Sequence, residues 1–352
     1  MTTDVADRAR RLLRKMLLGG KTAGVLPTLA VPPPQTSSME DFDPASSKQK
    51  RAVVISNCQC LPLAAWLTVL SADTCFDFWG VHLIDSAQRE VAIKDFVENA
   101  RSLYDFILAI PLSDDYVDLS TGNIVQTFNP VPVVRISNIY FSGFHPDQTY
   151  IGGLSQRVSG PLGDAHSRLA IYGFMNGLTV DQTAAFFSID SYSRLGYLDE
   201  FAKSLRTLVE RDSQVDVPVT RFLKQRLRSA LCFYSFNHPT PTVFSTYATD
   251  VMRHLTSLGL ARASGLPDDP SLCSESLAGS VIFPVYPEIA THHGAPHIGS
   301  YAFKPDGAWV NPMTLRRFLK LEFEAFEAVG RETLGLSHAA QLIAAHFPAL
   351  RS

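Results

Sequence analysis

Short apolar runs alternate along the chain with segments in which an apolar residue returns every three or four positions. The run Ala52–Ile55 is unbroken, and Leu63, Leu67 and Leu70 then recur at helical spacing. A short unbroken apolar run predicts a buried strand, and the second pattern predicts a helix with one apolar face. We therefore expect the folded region to begin near Lys48 with a strand followed by a helix.

The alternation continues to about residue 260. Further strands are predicted over residues 74–81, 106–110, 131–136 and 231–236, and helices over residues 201–209 and 244–258. Apolar strands separated by amphipathic helices favour a mostly parallel sheet that is covered on both faces. We predict an α/β fold with a Rossmann-like or flavodoxin-like sheet, whose functional residues lie at the carboxyl ends of the strands.

The chain is predicted to consist of three segments. Residues 1–47 form a basic N-terminal segment and a Pro-rich linker, residues 48–260 an α/β catalytic domain, and residues 261–352 a C-terminal extension that ends in two helices. Residues 5–18 place five Arg and Lys side chains among leucines, which would suit a short amphipathic helix on an anionic membrane surface. A frayed, solvated terminus is the alternative.

Composition and charge narrow the classes of function. The net charge is −3, so the chain lacks the basic field that binds nucleic acid. No apolar stretch approaches the ~20 residues of a membrane span, and the N-terminus lacks a secretion signal. The five cysteines are odd in number and mostly lie in apolar runs, which is typical of a reducing compartment. We expect a cytoplasmic protein, with residues 5–18 as the candidate for peripheral membrane contact.

The first candidate for chemistry is the turn expected after the first strand, Ser56-Asn57-Cys58-Gln59-Cys60. Backbone N–H groups and the positive end of the following helix dipole would activate a thiol there and stabilise an oxyanion. Cys58 would be the reactive thiol. The alternative is that both cysteines are simply small buried residues, and we favour that alternative for Cys60.

The second candidate is Asn237-His238-Pro239, which follows the strand predicted over residues 231–236. A His at the carboxyl edge of a strand lies where general bases sit in open α/β sheets. Pro239 keeps the chain from extending the strand. A lone loop histidine is more often a plain surface residue, but its combination with the Cys58 turn favours a functional role.

Three short motifs follow one another along the chain: Ser56-Asn57-Cys58-Gln59, Phe144-His145-Pro146-Asp147 and Phe236-Asn237-His238-Pro239. Their order and spacing resemble the WcbI-type capsule polysaccharide biosynthesis proteins, which are distantly similar to the GDSL/SGNH esterases. The resemblance covers about residues 51–259 and leaves out both ends of the chain. It implies an acetyltransferase of surface or capsular polysaccharide assembly, with acetyl-coenzyme A as donor and a sugar or glycan hydroxyl as acceptor.

The resemblance also implies roles for individual residues. His238 would be the base and Asn237 would orient it. Cys58 would be the nucleophile or part of the oxyanion site, and Asn57 and Gln59 would be polar donors.

The nucleophile of the esterase pattern has two candidates in this chain, Cys58 and Ser56, and Ser56 is also expected to contact the coenzyme. That pattern places an Asp three residues before the His, where this chain has Ser235, so a complete triad is not expected.

Two mechanisms follow from these roles. In one, His238 activates Cys58, which takes the acetyl group and passes it to the sugar. In the other, which we favour, His238 deprotonates the sugar hydroxyl for direct attack on acetyl-coenzyme A.

The middle motif would bind the acceptor. His145 and Asp147 could orient the sugar, although a turn in which Pro146 does only conformational work is the alternative. Arg135 and Arg157 flank this region and could meet the phosphates of the coenzyme, for which a guanidinium has suitable fork geometry.

Three histidines, His292, His293 and His297, lie close together in the C-terminal segment. The cluster contains no Cys, Asp or Glu, and adjacent histidines on a turn seldom converge on one ion. We therefore predict no metal and a loop that lines the acceptor pocket.

Two other functions compete with acyl transfer. A carbohydrate esterase of the SGNH type would remove acyl groups and would need no coenzyme pocket. A non-catalytic glycan-binding or scaffold protein would keep its function after His238→Ala. Binding of coenzyme A separates the transferase from the esterase.

Overall fold

The predicted first strand and helix are present as β1 (Lys50–Ser56) and α1 (Cys60–Leu70). They belong to a computed structural model that describes residues 50–84, 86–152, 157–265, 269, 277, 280–297, 299–307 and 310–346. The basic segment at residues 5–18, the Pro-rich linker and Cys273 lie outside these residues. Within them, no helix has the length and apolar character needed to cross a membrane.

Four parallel strands form the main sheet, which confirms the predicted sheet type. β1 is joined by β2 (Thr74–Gly80), β3 (Phe106–Ala109) and β4 (Val133–Arg135), in the order β2-β1-β3-β4. Ile55 of β1 stands opposite Trp79 of β2 on one side and Ala109 of β3 on the other. This is the strand order of flavodoxin-like sheets.

Helices and two short ribbons account for most other regular structure in the part of the chain described. The ribbon strands are β5 (Gln148–Thr149), β6 (His166–Ser167), β7 (Phe233–Ser235) and β8 (His238–Pro239). The helices after α1 are α2 (Arg89–Leu103), α3 (Ile124–Phe128), α4 (Arg168–Met175), α5 (Val180–Ala184), α6 (Ile189–Arg194), α7 (Glu200–Asp212), α8 (Thr220–Arg226), α9 (Pro241–Ser257), α10 (Pro287–His293), α11 (Leu315–Val329), α12 (Arg331–Gly335) and α13 (His338–His346).

Alternate side chains of β1 pack against opposite layers. Val53 and Ile55 pack with Phe96 of α2, whereas Ala52 and Val54 point to the other face. The right-handed crossovers from β1 to β2 and from β2 back to β3 run in opposite directions across the sheet, which places α1 and α2 on opposite faces. Helix α9 packs on α1. Val53, Val54 and Ile55 are 0% exposed, and burial of each contributes ~1.5–3 kcal/mol to stability. The turn that follows β1 therefore starts from a firmly anchored strand.

Contacts divide the chain into two units with interleaved segments. The first comprises residues 1–138, 211–218 and 241–274 and contains the main sheet; the second comprises residues 139–210, 219–240 and 275–352. The second unit is mostly helical. Its core combines Leu169 and Phe174 with Phe303, Phe318 and Phe326 from the C-terminal segment. The described residues beyond 280 thus share a core with earlier residues, whereas the sequence predicted a separate extension after residue 260.

Two details of the predicted elements are wrong. The strand predicted over residues 231–236 is β7, which pairs in antiparallel fashion with β8 and is not a strand of the main sheet. Asn237-His238-Pro239 therefore does not follow a strand at the carboxyl edge of that sheet. The helix predicted over residues 244–258 is present as α9, but its predicted end is one residue too long, because α9 ends at Ser257 and Leu258 is exposed.

Candidate active site

The strand order of the main sheet reverses between the adjacent strands β1 and β3. The connection that leaves β1 runs outward to β2, whereas the connection that leaves β3 runs in the opposite direction to β4, so the two connections diverge at the carboxyl ends of β1 and β3. In open α/β sheets, ligands bind in the crevice at such a reversal. Ser56 is the last residue of β1 and α1 begins at Cys60. The turn predicted from the sequence therefore stands at the expected binding position.

Asn57 holds this turn together. Its Oδ1 accepts a hydrogen bond from the backbone N–H of Gln59 at 3.1 Å, and its Nδ2 donates to Oδ1 of Asn138 at 3.1 Å. The backbone carbonyl of Asn57 accepts from the N–H of Cys60 at 3.0 Å. Asn138 lies just beyond β4, so the amide pair ties the ends of two parallel strands together. These bonds fix the backbone on both sides of Cys58.

The two cysteines of the turn have different surroundings. Cys58 is partly exposed, and its Sγ lies 4.0 Å from Oδ1 of Asn57. Cys60 is 3% exposed, and burial raises the pKa of its thiol to about 12. A thiol that stays protonated is a poor nucleophile. The geometry therefore favours Cys58 over Cys60 as the reactive group.

The surroundings of the turn suit an anionic ligand. The first turn of α1 carries no acidic side chain, and the N-terminus of a helix favours negative charge. Ser56 and Gln59 are almost fully buried, at 1% and 2% exposure. Their side chains belong to the frame of the turn, which leaves the Cys58 thiol as its exposed chemical group.

His238 lies on the β7–β8 ribbon of the second unit, whereas Cys58 belongs to the first unit. Burial lowers the pKa of His238 to about 4, so its imidazole is neutral near pH 7. Its Nδ1 is buried and has no hydrogen-bond partner among the described residues. A neutral imidazole has the protonation state that a general base requires.

The turn of this ribbon is fixed from both sides. The Phe236 N–H donates to Oε1 of Gln148 at 3.1 Å, and the Phe236 carbonyl accepts from the N–H of Phe141 at 2.8 Å. Asn237, predicted to orient His238, accepts a hydrogen bond from the Ser235 hydroxyl at 3.1 Å. Ser235 thus stabilises the turn at the position where the esterase pattern has an Asp.

Asp147 is fully buried, and its carboxylate is hydrogen-bonded within the protein. Its carboxylate accepts hydrogen bonds from the backbone N–H of Leu169 and from the hydroxyls of Ser167, Tyr197 and Tyr286. Burial raises its pKa in spite of these bonds. Asp147 thus joins the start of β5 to distant parts of the second unit, and its role as a sugar ligand stays a prediction.

His145, the other predicted acceptor ligand, is also buried, at 1% exposure. Burial lowers its pKa to about 3, and its ring packs edge-on against Phe283 at a centroid distance of 6.2 Å. Its role in acceptor binding stays a prediction.

The two arginines predicted to bind coenzyme phosphates already have carboxylate partners. Arg135 pairs with Asp216 at 2.9 Å, and its side chain is 39% exposed. Arg157 lies flat on Tyr150, 3.8 Å from the ring centroid, and approaches Asp164 at 3.5 Å. Each guanidinium is thus engaged by the protein itself, and the predicted role of the two arginines in phosphate binding stays a prediction.

The C-terminal histidines are not arranged as a metal site. His293 stacks on Phe201 with ring centroids 4.8 Å apart, and His297 Nδ1 accepts from the backbone N–H of Gly299. Among the described residues, no group of three or more His, Cys, Asp or Glu side chains is placed to hold a metal ion.

Two features escaped the sequence analysis. Asn138 could have been found, because it follows a predicted strand and the carboxyl ends of parallel strands share one edge. The buried pair His166–Glu322 was also missed. Glu322 lies four residues from both Phe318 and Phe326, and a carboxylate on the apolar face of a predicted helix signals a buried partner.

Comparisons with known proteins agree with the motif order. The family model described as "Polysaccharide biosynthesis enzyme WcbI" matches residues 51–259. A solved structure of WcbI, described as a novel polysaccharide biosynthesis enzyme in native form without a disulfide bond between coenzyme A and one of its cysteines, is similar in fold. The two structures superpose with a TM-score of 0.62, and their sequences are 18% identical. The match covers 86% of this chain and 97% of the WcbI chain. None of the curated proteins matches. The chain therefore belongs to the WcbI family of polysaccharide biosynthesis enzymes.

Proposed function

We propose that this enzyme transfers the acetyl group of acetyl-coenzyme A to a hydroxyl of a sugar or polysaccharide precursor. The observation that carries the proposal is the partly exposed Cys58 thiol, held by Asn57 on the turn where the strand order reverses. Membership of a polysaccharide biosynthesis family supports the acceptor class. The similar structure is described as being without a disulfide bond between coenzyme A and one of its cysteines, and this mention of coenzyme A supports a coenzyme A thioester as the ligand.

Direct transfer is the mechanism that we favour. A base takes the proton of the sugar hydroxyl, and the hydroxyl oxygen attacks the carbonyl carbon of acetyl-coenzyme A. The bond from that carbon to the coenzyme sulfur breaks, and the coenzyme leaves as a thiol after taking up a proton. We assign the base to His238, which is neutral at pH 7. The Cys58 turn then binds the thioester and supplies donors to the developing oxyanion.

Covalent transfer through Cys58 is the alternative route. The Cys58 sulfur, after losing its proton to a base, would attack the acetyl carbonyl and release coenzyme A; the sugar hydroxyl would then displace Cys58. This route exchanges one thioester for another of similar energy. Because the exchange leaves the acetyl group no more reactive, we place it second.

Rapid quenching after mixing with acetyl-coenzyme A and a panel of sugars and nucleotide-activated sugars tests the proposal. Mass spectrometry then reports acetylated sugar and any acetyl group on the protein. We expect acetylated sugar, with Cys58→Ala reducing transfer and the matched thiol control Cys75→Ala leaving it unchanged. An acetyl group on Cys58 would establish the covalent route. Release of acetate alone, or no consumption of acetyl-coenzyme A with any acceptor, would overturn acyl transfer to sugar.

A further inference from the structure

Basic side chains surround Phe201 in the second unit. His293, the last residue of α10, stacks on its ring with a centroid distance of 4.8 Å and an interplanar angle of 27°. The guanidinium of Arg228, just after α8, lies 5.6 Å from the same ring centroid. The ring of His292 lies 4.9 Å from that of His293. Two basic side chains therefore lie against the ring of Phe201, and a third, His292, lies beside His293.

The basic side chains of this cluster are not engaged in ion pairs. Arg228 and His292 are exposed, and none of Arg228, His292 and His293 forms an ion pair among the described residues. Burial, then the charges of His292 and Arg228, lower the pKa of His293 to about 4. The charge of Arg228 is therefore available to an anionic ligand.

His293 and Arg228 also have hydrogen-bonding groups that a ligand could engage. The Nε2 of His293 is buried and has no partner among the residues described. Arg228 offers a planar fork of donors whose geometry matches phosphate oxygens. The carboxyl end of α10 stabilises positive charge on His292 and His293. An anion placed here would therefore meet donors that are already assembled.

We propose that Arg228, His292 and His293 bind a phosphate group of a ligand. A phosphate dianion has several acceptor oxygens and enough charge to offset more than one cation. Its binding promotes protonation of His293, which then donates from both ring nitrogens. These residues all belong to the second unit, and occupancy of the site can be measured without any catalytic turnover.

Nuclear magnetic resonance of the imidazole groups in the full-length protein tests the site, with inorganic phosphate as the probe. Ionic strength is held constant with chloride, and His293→Gln assigns the signals. We expect phosphate to shift the His293 signals and to raise its pKa. Arg228→Gln should weaken binding about tenfold, whereas Arg221→Gln, an exposed charge on α8, should leave it unchanged. Absence of a shift, an equal shift with chloride alone, or unchanged affinity in Arg228→Gln would overturn the site.

A second set of probes, namely coenzyme A, dephospho-coenzyme A and uridine diphosphate, identifies the ligand that carries the phosphate. If coenzyme A perturbs His293 and dephospho-coenzyme A does not, the site holds the ribose phosphate of the donor. If uridine diphosphate perturbs it instead, the site holds an activated sugar. Either result supports the phosphate site and assigns its ligand, and failure of acetyl transfer would leave both results unaffected.

Discussion

Removal of the Glu322 carboxylate should destabilise the second unit strongly. Nδ1 of His166 lies 3.0 Å from Oε2 and 3.2 Å from Oε1 of Glu322, and both side chains are 0% exposed. Nε2 of His166 lies 2.9 Å from the carbonyl of Val158. Because both ring nitrogens face acceptors, His166 is an imidazolium that donates twice. Glu322→Leu leaves this cation buried without its counter-ion.

The expected loss is about 3–5 kcal/mol, the usual consequence of removing one partner of a buried ion pair. That is a large share of a typical domain stability of roughly 5–15 kcal/mol. Urea unfolding followed by circular dichroism measures it. The double variant His166→Leu with Glu322→Leu should regain most of the loss, because no charge then stays buried. A loss below about 1 kcal/mol in Glu322→Leu, or strict additivity in the double variant, would refute this reasoning.

The pair also predicts the sign of a pH effect. Burial alone would lower the pKa of His166, but the charge of Glu322 raises it above the ordinary value of 6.5. The folded state therefore binds this proton more tightly than the unfolded state. The stabilisation is complete below pH 6.5 and is lost as the pH rises through the folded pKa. A wild-type loss of stability with rising pH that persists unchanged in the double variant would contradict this assignment.

Three further predictions concern the candidate active site. Iodoacetamide should alkylate Cys58 in the folded protein and spare Cys60, whose buried thiol has a pKa of about 12; equal rates in peptide mass spectrometry would contradict this. Asn57→Ala should lower kcat/KM for acetyl transfer by about tenfold or more, since it removes the bonds of this side chain to Gln59 and Asn138 and its contact with Cys58. Asn138→Ala removes only the bond to Asn57 and should have a smaller effect. With a pKa of about 4 for His238, kcat/KM should fall only as the pH drops toward 4, and a fall centred on 6.5 would contradict its burial.

Local patterns explain which parts of the fold could be predicted. β1 and α1 follow from an apolar run and an apolar face within one stretch of sequence, and the parallel sheet follows from the alternation of such elements. The candidate turn at Cys58 needed only the rule that function lies at the carboxyl ends of strands. Each of these inferences depends on residues that are close together in the sequence.

The missed features depend on partners that are distant in the sequence. The pattern of residues 231–236 correctly predicts a strand, but only the folded chain shows that β7 pairs with β8. Asp147 and its partner Tyr286 are 139 positions apart, so the sequence gives no sign that this carboxylate is used internally. The packing of Leu169 with Phe318 and Phe326 of α11 also joins residues that are far apart in the sequence.

Calorimetric titration with acetyl-coenzyme A is the most direct test of the central claim, that the Cys58 turn is the donor site. Wild-type protein should bind acetyl-coenzyme A in the micromolar range. Asn57→Ala should weaken binding, and Cys75→Ala, a change at an exposed thiol outside the turn, should leave it unaltered. Absence of binding to the wild type, or equal affinity in wild type and Asn57→Ala, would contradict the account.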